Sequence, residues 1–345
     1  MLTVLQVTTD MERGGVPRIV TRITSHLTTR GCRVLVAAPP GPMENQVEGP
    51  FIPMQELASR HPISMLIASS RLRSMLDHER VDIVHVHQRR AALIAQIAAA
   101  NRPIQIVEHV HSLFGDNKLL SFRSRMLIAV GTVVRDRLVR HYGRSPDRVE
   151  VVFNGVPASA AATRDQIDGR PLSVLGVGRL VPEKDPAYFA NFVAGLKAAV
   201  PVEATWIGDG PLMYKMSAEF PDVRWYGFAS DPSTFLSRAD VVVSSSTREG
   251  LPLSLLEAIA AGCAVVARDA GSVRDIVRND WNGLLFPQEV SPDNAAKALI
   301  AKSQRFRRLQ LWGANGRALH LERFTEESMV DGVERVYAKV RPGAT

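Results

Sequence analysis

The chain alternates short, wholly apolar runs with longer stretches whose apolar residues recur at helical spacing. TVLQVTT (3–9) predicts a first strand, and VPRIVTRITSHLTTR, just after Gly14 and Gly15, predicts a helix. CRVLVAA (32–38), VDIVHVH (81–87), IQIVEHVH (104–111), RMLIAV (125–130) and VEVVFNGV (149–156) predict further strands, with helical patterns over 63–79, 89–100 and 133–141 between them. Runs that are apolar throughout, instead of alternating, predict parallel strands buried on both faces. The small, polar segment PASAAATRDQIDGR (157–170) then reads as a linker. A second series follows: LSVLGVGRL (172–180), EATWIGDG (203–210), VRWYGF (223–228), DVVVSSS (240–246) and AVVARDA (264–270), with helices between. The stretch 322–340 is helical with no further strand.

This pattern predicts an α/β protein with two Rossmann-like, doubly wound domains facing across a cleft. The first domain is expected over 1–160 and the second over 170–325, with a final helix at about 326–341 packing back on the first. A length of 345 residues suits two domains. Ligands of such sheets bind beyond the carboxyl ends of the strands.

Composition narrows the class. With 46% hydrophobic and 22% charged residues the chain reads as a globular enzyme. No uninterrupted apolar run is long enough to predict a spanning helix. MLTVLQVTT enters a strand directly, so no signal peptide is predicted. Cys32 and Cys263 read as buried free thiols, and the expected location is the cytoplasm, with peripheral contact at the inner face of the membrane. The net charge of +7 is uneven: residues 1–157 hold 20 Lys+Arg against 13 Asp+Glu, and the remainder 22 against 22. All the excess lies in the first half, which predicts weak attraction to an anionic surface or a phosphorylated acceptor. RLRSML (71–76) and FRSRM (122–126) mix cations with apolar residues and are the segments expected at a membrane. No basic run interleaved with aromatics occurs, so nucleic acid is not an expected partner.

Candidate chemistry sits at strand ends. Gly14 and Gly15 lie between the first strand and first helix, where a backbone can approach an anion, but without the G-x-G-x-x-G spacing of a dinucleotide fold. In GVGRLVPEKDP (176–186), Gly178 precedes Arg179 and Lys184, two cations suited to a diphosphate. Gly208 and Gly210 form a G-x-G turn after the next strand, and Phe228 ends another. In EGLPLSLLE (249–257), Glu249 precedes a predicted helix starting at Pro252 and ending at Gly262, and Glu257 lies within it. The amides of Gly250 and Leu251 are expected at the helix start. Eight helical residues would separate the two glutamates by about 12 Å. Paired hydrolytic carboxylates are about 5–9.5 Å apart, which disfavours a glycosidase. His87, His109 and His111 end two neighbouring strands and suit proton or hydroxyl work. With no H-x-x-x-H or D-x-D pairing, no metal site is expected there.

Taken in order, these segments resemble the retaining glycosyltransferases of family 4, which have the GT-B fold and an E-x7-E signature. The resemblance runs through GG (14–15), DIVHVH (82–87), VHS (110–112), VVFNGV (151–156), GVGRLVPEKD (176–185), GDGPL (208–212), EGLPLSLLE (249–257) and NGLLF (282–286). It implies transfer of a sugar from a nucleoside-diphosphate sugar to a lipid-linked, saccharide or small-molecule acceptor, without cofactor or metal, in glycoconjugate synthesis. It implies that Glu257 holds the donor ribose and Glu249 the donor sugar, with Gly250 and Leu251 on sugar and phosphate. Arg179 and Lys184 would meet the diphosphate, Gly15 would reach it from the acceptor domain, and His111 would stand near the transferred sugar, with His109 as the second choice. Gly14, His87 and His109 are acceptor-side candidates. Gly131 stands where the family has serine. A non-hydrolysing nucleotide-sugar epimerase and a non-catalytic nucleotide-sugar-binding protein are the alternatives.

Overall fold

The computed structural model describes residues 1–112, 121–159, 170–303 and 306–341. It divides into two compact units, Met1–Asn154 with Glu326–Thr345, and Gly155–Thr325. The expected boundary at 160 and most of the expected linker fall at or within 160–169, outside the described residues.

The first unit holds one parallel sheet. Its strands are β1 (Thr3–Val7), β2 (Arg33–Ala38), β3 (Phe51–Pro53), β4 (Ile83–Val86), β5 (Gln105–Val110), β6 (Met126–Ala129) and β7 (Val149–Val151), in spatial order β3-β2-β1-β4-β5-β6-β7. Order reverses between β1 and β4, so the loops leaving these strands part on either side of a crevice. β1 is buried at every position, as a strand covered on both faces must be. Helices α1 (Gly15–Thr29), α2 (Pro62–His78), α3 (Arg89–Ala98) and α4 (Thr132–Arg140) link the strands. β3 was not predicted: two half-covered residues and an exposed proline carry too little pattern.

The second unit repeats the plan with β8 (Leu172–Val177), β9 (Val202–Ile207), β10 (Arg224–Gly227), β11 (Val241–Ser244), β12 (Ala264–Arg268) and β13 (Gly283–Phe286), in order β10-β9-β8-β11-β12-β13. The reversal is between β8 and β11. Helices α5 (Pro186–Lys197), α6 (Met213–Glu219), α7 (Ser233–Leu236), α8 (Leu253–Ala260), α9 (Pro292–Lys302) and α10 (Leu309–Arg323) cover it. Trp206, Phe189, Phe192 and Trp312 fill the core between sheet and helices. β13 is a strand that the strand-by-strand sequence reading passed over.

The helical stretch predicted over 322–340 is two helices. α10 ends at Arg323, and α11 (Glu326–Val340) belongs to the first unit. Met329, Val330, Val333, Val336, Tyr337 and Val340 form its buried face. Gly332 lets that face approach the residue just after β7, because a Cβ there would lie 2.7 Å from a methyl of Val152. Arg22 pairs with Glu326 at 2.8 Å and Arg30 with Asp331 at 2.6 Å, tying α11 to α1.

Candidate functional site

In the second unit, the predicted donor residues sit on loops leaving the carboxyl ends of adjacent strands. Gly178, Arg179 and Lys184 follow β8, Gly208 and Gly210 follow β9, Phe228 follows β10, and Glu249, Gly250 and Leu251 follow β11. Lys184 Nζ donates to Glu249 Oε1 at 2.5 Å, closing an ion pair across the point where strand order reverses. Arg179 is exposed and makes no ion pair among the described residues. Backbone bonds align the two loops: Thr247 N–H donates to Glu183 O at 2.8 Å, and Ser245 Oγ donates to Lys184 O at 2.6 Å.

The glycines here are required by the fold. Gly208 has φ +129°, and a Cβ there would collide with the carbonyl of Gly178. Gly210 has φ +158°, and its Cβ would strike Leu180 O. These turns therefore carry close backbone packing whatever else they do. α8 starts one residue later than predicted: Pro252 is its N-cap, with extended ψ of 121°. Its end is as expected. Gly262 takes φ +74°, its N–H donates to Ile259 O, and Cys263 N–H donates to Ala258 O, a Schellman close. Glu257 lies half-buried in this helix.

In the first unit, Gly14 and Gly15 follow β1, His87 follows β4, His109 lies in β5, and His111 follows it. Gly14 is extended (φ −169°) and a Cβ there would meet only Pro17 Cδ at 3.9 Å. The fold does not demand glycine at 14, unlike 208 or 210. The register Val86↔Glu108 brings the two H-x-H steps, His85-Val86-His87 and His109-Val110-His111, side by side on one face of the sheet. The rings stack, with centroids 4.5 Å apart for His85 and His87 and 4.3 Å for His109 and His111.

Hydrogen bonds fix the tautomers. Gln6 Nε2 donates to Val20 O and Thr24 Oγ1, so Gln6 Oε1 accepts from His87 Nε2–H at 2.8 Å. His87 Nδ1 must then accept, and His111 Nε2–H donates to it at 3.1 Å. Burial pushes both imidazoles well below their ordinary range, so they are neutral. His111 Nδ1 is left as a lone-pair acceptor. His85, His87 and His109 each have a ring nitrogen within 4.8 Å of the others. Parallel pairing of two H-x-H steps brings these rings together without the H-x-x-x-H spacing of a helix. Tyr337 Oη, 2.7 Å from His85 Nδ1, and Gln6 Oε1 occupy the second nitrogens of two of the three.

Beside this ladder lies a cavity of about 640 Å³ within the first unit. His111, Glu108, Arg60, Arg89 and Arg90 line it. Glu108 points from the opposite face of β5. Ser124 Oγ donates to its Oε2 at 3.0 Å, its Oε1 is buried without a partner, and burial pushes it up to about 7.

Comparison with known proteins gives this geometry a context. Residues 13–160 match the family described as Glycosyltransferase Family 4, and residues 171–304 match Glycosyl transferases group 1. The D-inositol 3-phosphate glycosyltransferase of Rhodococcus jostii (strain RHA1) is 28% identical over 384 residues, covering 97% of this chain and 83% of the relative. A glycosyltransferase from Rickettsia africae ESF-5 superposes with a TM-score of 0.85 at 17% identity, covering 98% of both chains. Anabaena Alr3699/HepE, solved in complex with UDP-glucose, superposes with a TM-score of 0.81 at 17% identity, over 98% of this chain and all of that one. The chain belongs to the family 4 glycosyltransferases. It is a nucleotide-sugar-dependent glycosyltransferase with two parallel-sheet α/β units.

The loops that carry the predicted donor residues are held by residues that the sequence pattern does not single out. Arg268, the last residue of β12, donates to Asp185 Oδ2 at 2.7 Å, to Ser245 O at 3.2 Å and to Gln288 O at 2.8 Å. Asp185, at φ +44°, in turn accepts from Tyr188 N–H and caps α5. An arginine closing an otherwise apolar strand was the available signal. Gly271, at φ +56°, packs against the 249–250 loop so closely that a Cβ would collide with Glu249 O. His85 was passed over because it stands mid-strand among apolar neighbours. The two segments expected at a membrane present their apolar residues inward: Leu72 and Leu76 are buried in one, Phe122 and Met126 in the other. The exposed apolar stripe lies a turn earlier on α2, where Ile63, Leu66 and Ile67 are 61, 63 and 46% exposed.

Proposed function

We propose that this glycosyltransferase transfers its sugar with retention of anomeric configuration, without a metal ion, and that the second unit holds the donor. The observation that carries this reading is the Lys184–Glu249 pair, which joins the loop after β8 to the first glutamate of the E-x7-E signature after β11. In the proposed cycle the donor diphosphate takes Lys184 from Glu249 and also meets Arg179. Glu249 is thereby released to bind sugar hydroxyls, and Glu257 binds the ribose. The acceptor hydroxyl attacks the anomeric carbon on the face the diphosphate leaves. The carbon–acceptor oxygen bond forms as the carbon–phosphate oxygen bond breaks, and the departing phosphate takes the hydroxyl proton. Two cations placed where negative charge develops supply the electrostatic part of the acceleration. No enzyme nucleophile is needed. From the first unit, Gly15 and His111 are the residues proposed to reach the donor side.

Glu257→Ala should lower transfer by a factor of 100 or more and weaken nucleotide binding. Retained rate and affinity in that variant would refute the assignment. Incubation with donor alone separates the epimerase reading, which requires an isomerised nucleotide sugar without any acceptor. The stripe of Ile63, Leu66 and Ile67, with the positive charge of the first half, supports peripheral contact with an anionic membrane. Failure to co-sediment with anionic vesicles at low salt would remove that part. No helix in the described residues is long and apolar enough to cross a membrane.

A further inference from the structure

The hydrogen bonds around the histidine ladder run in one direction, and a residue outside the ladder sets it. Gln6 lies in β1 in register with His85 of β4, so its side chain shares the face of His85 and His87. It is fully buried. Its amide has one orientation. Val20 O can only accept, and Thr24 Oγ1 already donates its proton to that carbonyl at 2.9 Å, so both take N–H protons from Gln6 Nε2. Gln6 Oε1 is thereby turned to His87 Nε2, which must carry the proton between them. His87 Nδ1 is then a lone pair, and the 3.1 Å contact with His111 Nε2 needs the His111 proton on Nε2. The rings of His85, His109 and His111 stand with centroids 4.5, 5.5 and 5.3 Å from that of His87, and burial among them keeps it uncharged. His111 lines the cavity of the first unit, and its Nδ1 is the one ring nitrogen of this tether without a partner among the described residues.

We infer that Gln6 and His87 are positioning residues for sugar transfer: they hold His111 with its proton on Nε2, so that Nδ1 meets a ligand hydroxyl as the acceptor. No proton leaves the tether; it fixes which end of the His111 ring is bare. A bare lone pair takes an O–H and leaves a group that can only accept, such as a carbonyl or a C–F bond, unpaired. The tether therefore sets a preference for hydroxyl at that place in the cavity. Leucine at position 6 is of similar size, and Thr24 and Val20 keep their own bond, so Gln6→Leu orphans only His87 Nε2–H. The His87–His111 pair can then reverse, with His87 Nδ1–H donating to His111 Nε2 and the His111 proton on Nδ1. This inference rests on the reading of His111 as the group beside the transferred sugar.

Ring-nitrogen NMR spectra of the histidine-labelled full-length protein test the tether without any ligand. The chain has nine histidines, and His111→Ala assigns the signal. Wild-type His111 should be neutral with its proton on Nε2. In Gln6→Leu the ratio of the two His111 tautomers should shift at least tenfold toward Nδ1–H. Tyr337→Phe removes a buried bond to His85 in the same layer but off this path, and should leave the His111 signal as in wild type. A wild-type proton on Nδ1, a ratio unmoved in Gln6→Leu, or the same shift in Tyr337→Phe overturns the tether. Nucleotide release from UDP-glucose, UDP-galactose and GDP-mannose reads its consequence. With whichever of these turns over fastest, Gln6→Leu should lower kcat at least tenfold while binding the released nucleoside diphosphate within about twofold of wild type. A shifted tautomer with unchanged kcat overturns the positioning role. His111→Ala keeps the two readings apart. If it turns over donor at the wild-type rate, the placement of His111 beside the sugar fails; if it is slow while the Gln6→Leu spectrum is unmoved, the tether alone fails.

Discussion

Glu249 and Glu257 share a signature but stand in different situations. Glu249 is held by Lys184 at 2.5 Å, whereas Glu257 sits half-buried on α8. If donor binding must break the ion pair, Glu249→Gln frees Lys184 for the diphosphate. That variant should bind nucleoside diphosphate as tightly as the wild type or more so, yet transfer at least tenfold more slowly. Isothermal titration against the initial rate separates the two effects, and weakened nucleotide binding would contradict the exchange of partners. The pairing was not legible in the sequence. The two charges, 65 positions apart, were each assigned to the donor, and only the loop geometry shows that they satisfy one another first. Glu108 was equally hidden, as one acidic residue in an apolar strand. Its folded-state pKa, about 7 against an ordinary 4.5, is raised by burial. Its contribution to stability is therefore whole below about pH 4.5 and is lost as pH climbs toward 7. The buried imidazoles run the other way, costing stability as pH falls below 6.5. The Tm of Glu108→Gln minus that of wild type should thus rise from pH 4.5 to 7 and then level. A flat difference would show that Glu108 is ionised in the fold.

At the scale of elements, the strands were legible because each is a continuous apolar run with a polar loop beyond it. β3 was not read as a strand, since two half-covered residues and an exposed proline carry little pattern, and β13 was not, although it is as long as β11. The helix of 63–79 was legible as a helix but not in its facing. Its apolar residues are spread round the axis, so Ile63 and Leu66 face solvent while Leu72 and Leu76 face the core. Of the loop glycines read toward ligand, Gly208 and Gly210 prove to be packing devices. Gly271, which the sequence pattern does not single out, is the sharpest case of such packing. Alanine there meets both a positive φ and the Glu249 carbonyl, so Gly271→Ala should destabilise the second unit by more than about 1 kcal/mol and displace the signature loop. Chemical denaturation, with nucleotide affinity measured alongside, would detect both effects. The start of the sheet has its own clasp. Arg170 binds Asp240 through two nitrogens at 2.7 Å, and Asp240 also accepts from Ser173 N–H. Asp240 is buried, so Asp240→Ala should cost about 3 kcal/mol without altering donor affinity in the folded protein.

For the whole molecule, the same winding order appears in both units, with the reversal between the first and fourth strands of each. Each unit therefore carries one crevice at its carboxyl edge, and the chemistry divides between them: an ion pair of opposite charges in the second unit, and arginines with neutral imidazoles in the first. The charge asymmetry seen in the sequence, with all excess positive charge before residue 158, agrees with that division. The central claim is that the second unit binds a nucleoside-diphosphate sugar through Glu257 and the paired loops. Direct titration of UDP, GDP and ADP into wild-type protein and Glu257→Ala tests it most plainly. One nucleotide of the panel should bind the wild type, and the variant should bind it at least tenfold more weakly. No binding by any of the three, or equal affinity in the two proteins, would contradict the claim.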